Sequence, residues 1–201
     1  MRRVLVLYPL LFFMAFPAYG AFELSGSFSY NKTVYGSNRQ NEMTSRSYTG
    51  SFNWFLFGLT ALNVNYTYAD DITTENNEIA VGSDVSIVGT QNRVNRQVIG
   101  LGLTQYFASR DALIRPSLSM GYARQVIEDQ TDVTYRYEPT GAIITTQGDL
   151  TKREENSVFG TFSLKFQLTR FLSLEGSVHT VFEAFEFGQA RDNLKYSAGF
   201  S

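Results

Sequence analysis

Apolar and polar residues alternate with a period of two in eight stretches between Phe22 and Phe200, and this pattern restricts the fold more than any other feature of the chain. Successive side chains of a strand point to opposite faces, so alternation marks strands with a different environment on each side. In the first stretch Phe22, Leu24, Gly26, Phe28 and Tyr30 alternate with Glu23, Ser25, Ser27 and Ser29. The second sets Tyr48 to Leu56 against Ser47, Thr49, Ser51, Asn53 and Phe55, and the third sets Leu62, Val64, Tyr66 and Tyr68 against Ala61, Asn63, Asn65 and Thr67. The fourth centres on Ile99, Leu101 and Leu103, the fifth on Ile114 to Tyr122, the sixth on Val158 to Leu168, and the seventh on Leu172 to Val178. The eighth places Leu194, Tyr196, Ala198 and Phe200 opposite Asn193, Lys195, Ser197 and Gly199.

The connections between these stretches alternate in length. The second joins the third around Gly58, the fourth joins the fifth through Ala108-Ser109-Arg110-Asp111, and the sixth joins the seventh around Thr169-Arg170. The other four connections, at 32–45, 69–95, 125–156 and 183–192, are longer or more polar. Short turns on one side and long loops on the other characterise an up-and-down barrel spanning a bacterial outer membrane. Two of the long connections read as hairpins of their own, 78–88 around Gly82-Ser83-Asp84 and 133–146 around Glu138-Pro139-Thr140-Gly141.

The chemistry of the two faces orients the sheet. The polar face is small and weakly charged, whereas the apolar face carries the bulk of the rings. An eight-stranded barrel is only wide enough for side chains to fill, so small polar residues suit its interior and rings suit its exterior. The aromatic residues also collect at strand ends. Tyr30, Tyr48, Tyr66, Tyr68, Tyr122 and Phe182 fall towards the long loops, and Trp54, Tyr106, Phe107, Phe166, Phe171 and Phe200 towards the short turns. Two such belts are expected where amphipathic rings sit at the bilayer interfaces. The barrel must close, because an open edge in lipid leaves N–H and C=O groups unsatisfied.

The first twenty residues fit a secretory signal, with Arg2 and Arg3, the apolar run Val4–Phe16, and Ala18 and Gly20 before a cleavage point at Ala21. The expected organisation is therefore a signal peptide at 1–20 and a barrel at 21–201. With no cysteine in the chain, disulfides, thiolate catalysis and Cys-ligated zinc are excluded. The net charge of −2 argues against a nucleic-acid partner.

With its signal sequence, eight alternating segments, the stretch I-R-P-S-L-S-M-G-Y at 114–122 and its last strand, the chain resembles the small eight-stranded OmpA/OmpX-type outer-membrane barrels of Gram-negative bacteria. The resemblance implies an all-β, closed antiparallel barrel in the cell outer membrane, in contact with membrane lipids and lipopolysaccharide. It also implies that the assembly machinery reads the C-terminal strand, through Tyr196 and Phe200, which Ser201 follows. The fold hosts adhesins, tethers, pores and lipid-modifying enzymes, so it does not specify an activity.

The inward face carries Glu23, Arg115, Lys165, Glu175, His179 and Lys195. Buried charges need partners, so these form an expected lumen network, with Glu23, Glu175 and Lys195 in one cluster on neighbouring strands. Glu175-x-Ser177-x-His179 is the one arrangement with the residue types of a hydrolase. On a flat strand, however, residues two apart lie about 7 Å from one another, too far for a serine and its base. Gly100 and Gly102 read as small inward residues in a tight barrel rather than as part of a nucleotide fingerprint. The expected lipid-interface aromatics are Tyr30, Tyr48, Trp54, Tyr66, Tyr122, Phe166, Phe171 and Phe200. The acidic loops match no defined calcium site, and the sequence calls for no catalytic residue, cofactor or metal. The expectation is a monomeric, non-enzymatic surface protein acting in membrane integrity, adhesion or partner binding through its long loops. A lipid-modifying enzyme and a narrow channel are the alternatives.

Overall fold

The structure is a computed structural model and describes residues 21–183 and 194–201; the expected signal peptide and most of the loop at 183–192 lie outside the described residues. Ten strands follow in chain order: β1 (Phe22–Tyr35), β2 (Asn41–Phe57), β3 (Thr60–Glu75), β4 (Ile79–Ala80), β5 (Val85–Tyr106), β6 (Ile114–Tyr137), β7 (Ala142–Gln147), β8 (Thr151–Gln167), β9 (Ser173–Glu183) and β10 (Lys195–Phe200). Eight of them, β1, β2, β3, β5, β6, β8, β9 and β10, form a closed antiparallel ring, with β5 paired to β6 and β1 to β10. All neighbours except β1 and β10 are consecutive barrel strands, as in an up-and-down meander. The two remaining strands, β4 and β7, flank the far ends of β5 and β6.

The barrel is apolar outside. Phe22, Leu24, Phe52, Leu101, Leu103, Met120 and Phe162 are all exposed, as is nearly every other large outward side chain. On β6 the apolar outward run extends from Ile114 to Tyr122 before Arg124 interrupts it. Nine residues of strand cover about 27 Å along the chain, or about 21 Å of height at a tilt near 40°. That is close to the ~25 Å apolar band of membrane barrels. This exterior therefore suits lipid, and the ring pairs the backbone of neighbouring strands, as lipid requires, along every seam except part of β1–β10.

The strands run well past this belt, which the sequence pattern did not indicate. The first connection, expected over 32–45, contracts to the turn 36–40, where Arg39 N–H donates to Gly36 O at 3.1 Å and both residues hold positive φ (Arg39 +56°, Gly36 +94°). Beyond the belt both faces of the strands meet water, so alternation ends although pairing continues. Past Tyr122, β6 runs a further 15 residues to Tyr137, about 50 Å of strand. There β4, β5, β6 and β7 form a projecting four-stranded ribbon. The expected hairpin at 133–146 is present as β6 and β7, with Gly141 in the left-handed region (φ +70°), donating to Tyr137 O at 2.8 Å. The hairpin at 78–88 is reduced to Ile79 and Ala80 against Ile87 and Ser86.

Candidate functional site

The lumen is built from the polar parity of each strand. Short side chains hydrogen-bond from strand to strand: Ser25 to Ser51 at 2.6 Å, Thr49 to Thr67 at 2.9 Å, Asn63 to Asn53 at 2.8 Å, and Thr104 to Asn53 at 3.1 Å. Thr104 also reaches Ser119 at 2.7 Å, and Ser177 reaches Ser197 at 2.7 Å. Each bond satisfies groups that lie away from bulk water.

A charge cluster closes the lumen towards the short turns. One oxygen of Glu23 accepts from Lys165 Nζ and, at 2.9 Å, from the Tyr106 hydroxyl; the other accepts from Arg115 Nη1 at 3.2 Å. Lys165 also lies 3.4 Å from Glu175. Two carboxylates thus meet two cations, which offsets the desolvation each would otherwise suffer. The Arg115 and Lys165 charges sit 4.7 and 5.6 Å from the centre of the Tyr106 ring. A polar cavity of about 50 Å³ adjoins the cluster, lined by Lys165, Glu175, Asn53, Asn63 and serines of several strands. That is room for a few waters.

Lys195 does not join this cluster. It lies further along the barrel, 3.7 Å from Asp71, so the expected grouping with Glu23 and Glu175 is corrected. His179 pairs across the sheet with Lys195, and its Nδ1 lies 2.6 Å from the Thr161 hydroxyl. Ser177 is held by Ser197 rather than by His179, so the hydrolase-like spacing assembles no serine–base pair.

Among the described residues three phenyl or phenol rings are inside, contrary to the expectation that rings would not fit. Phe55 and Tyr106 stack with centroids 5.1 Å apart, and Phe159 is buried with only 1% of its surface exposed. Tyr106 therefore belongs to the lumen and not to the lipid belt. Space for Phe159 comes from missing side chains opposite: a Cβ at Gly100 would lie 2.9 Å, and at Gly121 2.7 Å, from Phe159 Cε1. Those glycines, together with ring residues on the polar parity, were the signal in the sequence for an internal plug. The expected interface aromatics Tyr30, Tyr48, Trp54, Tyr66, Tyr122, Phe166, Phe171 and Phe200 all stand exposed.

The outer ribbon is the second candidate site. Arg136 ties it together by donating to two carboxylates, Glu78 and, at 3.0 Å, Glu138. Among the described residues β7 is the last strand of the sheet, with one edge unpaired, and all six of its residues are exposed. Gly148 N–H donates inward to Thr131 O at 2.9 Å. The alternation of an antiparallel ladder then turns the N–H groups of Ile143, Thr145 and Gln147 towards the open edge.

Among known proteins, no family model matches the chain, and no curated protein matches it. Solved structures do resemble it. The N-terminal β-barrel domain of Pseudomonas aeruginosa OprF is 14% identical, with a TM-score of 0.45 over 88% of this chain and 93% of that one. Neisserial surface protein A is 11% identical, with a TM-score of 0.48 over 89% and 94%. Ail, the attachment invasion locus protein of Yersinia pestis, is 10% identical, with a TM-score of 0.43 over 90% and 96%.

Proposed function

We propose that this chain is an outer-membrane barrel that presents its β-ribbon at the cell surface to bind extended peptide segments of other proteins, and that it is not an enzyme. The observation that carries this reading is the outer edge of β7. Its sequence, A-I-I-T-T-Q, holds no charge and no proline, the devices by which exposed edges are normally blunted. Ile143 and Ile144 stand 66% and 63% exposed beside it, and Tyr137, paired with Ala142, adds apolar surface nearby. An added strand would gain main-chain hydrogen bonds from the edge and specificity from side-chain contacts alternating along it. The plugged lumen supports a role outside the barrel: the Glu23 cluster and the rings of Phe55, Tyr106 and Phe159 occupy the path an ion would take.

The test uses a random peptide library selected against the barrel in nanodiscs. Thr145→Pro removes a donor at the open edge and the exposed hydroxyl contact with Thr134, but no backbone bond to β6. Selected peptides should bind this variant at least tenfold more weakly, while barrel assembly, read by heat-modifiable gel migration, stays unchanged. Failure to select peptides, or equal binding to both proteins, rejects the proposal.

A further inference from the structure

The ring closes incompletely. Among the described residues, β1 pairs with β10 only through Gly26–Phe200, Ser27–Gly199 and Phe28–Ala198. Continuing that register would set Ser29 against Ser197, Tyr30 against Tyr196 and Asn31 against Lys195, yet none of these pairs forms. Both strands remain regular there: β1 stays paired to β2 as far as Tyr35, and β10 stays paired to β9 as far as Lys195. The separation is therefore a parting of two intact strands. A cavity of about 520 Å³ fills it, lined by Ser29, Tyr30 and Asn31 on one side and Leu194, Lys195 and Tyr196 on the other. Its volume is within the usual range of small-molecule sites, about 300–1,000 Å³.

The cavity joins two different environments. Leu194, Tyr196 and Tyr30 have outward parity and are exposed at the level of the tyrosine belt. Ser45, Asp71, Arg96 and Lys195 line the cavity from the lumen side. Among the described residues that line it, two cations face one carboxylate. Lys195 approaches Asp71 at 3.7 Å, while among the described residues Arg96 forms no ion pair and its buried Nε has no hydrogen-bond partner. Among the described residues, an excess positive charge is thus held at the inner end of a cleft whose outer rim carries Leu194, Tyr196 and Tyr30. The parted strands add free backbone donors, which in lipid are costly unless something bonds to them.

We infer that the β1–β10 cleft binds a single-chain anionic amphiphile, a long-chain fatty acid, with its carboxylate at Arg96 and Lys195 and its chain passing out between Tyr30 and Tyr196 into the membrane. An Arg fork suits a carboxylate in two-point contact, and the lateral exit spares the chain from entering the plugged lumen.

The chain has no cysteine, so a staple can be introduced without background. The probe is a fluorescent C16 fatty acid titrated into the barrel in detergent micelles, with the C16 alcohol as uncharged control. The native protein should bind the acid at least tenfold more tightly than the alcohol. Arg96→Gln should weaken acid binding about tenfold and leave alcohol binding unchanged. Ser29→Cys combined with Ser197→Cys should bind normally when reduced and lose binding when oxidised. Equal affinity for acid and alcohol, or undiminished binding after oxidation, overturns the inference, as does displacement of the acid by lipopolysaccharide alone and not by unlabelled fatty acid.

Discussion

Glu23→Gln tests whether the lumen charges act as one unit. Glu23 accepts from three groups at once, Lys165, Arg115 and the Tyr106 hydroxyl. Both cations are nearly sealed off, with side chains 3% (Lys165) and 8% (Arg115) exposed. Removing one partner of a buried ion pair costs about 3–5 kcal/mol, because the remaining charge stays buried without compensation. The low end applies here, about 3 kcal/mol, since Glu175 still faces Lys165 at 3.4 Å. Lys165→Met alone should cost a similar ~3 kcal/mol, leaving two carboxylates for one arginine. The double variant restores charge balance, with Arg115 and Glu175 remaining. It should cost well under the sum, a coupling of about 2–3 kcal/mol. Urea unfolding in lipid vesicles, followed through Trp54, the chain's single tryptophan, supplies the three values. Double-variant costs equal to the sum within ~0.5 kcal/mol would refute the coupled cluster, as would single variants of negligible effect.

A Cβ at Gly121 would sit 2.3 Å from Leu101 O, a backbone atom that cannot yield, whereas one at Gly26 would meet nothing within 4 Å. Gly121→Ala should lower stability by about 1–3 kcal/mol and Gly26→Ala should be near neutral, as measured by the same urea titration. Leu101→Arg, on the outward face and 56% exposed, should cost about 2–4 kcal/mol in bilayers and far less in a soluble β-protein; a near-zero cost in bilayers would reject the lipid-facing assignment. In the ribbon, a hydrogen bond from the Ser86 hydroxyl and then Arg136 hold the Glu138 carboxyl below its ordinary value of 4.5. A lowered folded-state value stabilises above the ordinary value and loses that contribution as pH falls through the lowered one. Protease protection of 138–147 should therefore be flat from pH 7 to 5 and decline below about 4.5; a decline beginning at pH 6 would contradict it.

Much of the barrel was legible because lipid outside and a narrow lumen inside impose opposite chemistry on alternate residues. Where that contrast ends, so did legibility. The extension of β1 to Tyr35 and of β6 to Tyr137 has water on both sides, and polar strand there reads like loop. The internal rings were hidden for another reason. Phe159 fits because Gly100 and Gly121 face it from other strands, and such complementarity depends on which residues share a level. Alternation fixes the face of a residue but not its height. The same gap misplaced Lys195, whose level, beside Asp71, depends on the stagger of the strands.

The brevity of the β1–β10 seam bears on how the barrel is made. Every other seam joins strands close in sequence, so each can zip from a neighbouring turn. Phe28 and Ala198 are 170 residues apart, and bringing such distant segments together costs about 4–5 kcal/mol in chain entropy. Among the described residues, three pairs repay that cost. The ring must therefore close last, from a curled sheet already complete along its other seven seams, and reopen first. Amide exchange should be fastest at Gly26, Phe28, Ala198 and Phe200, whose N–H groups face this seam, and whatever shelters the open sheet in the cell has to hold both of its edges until they meet.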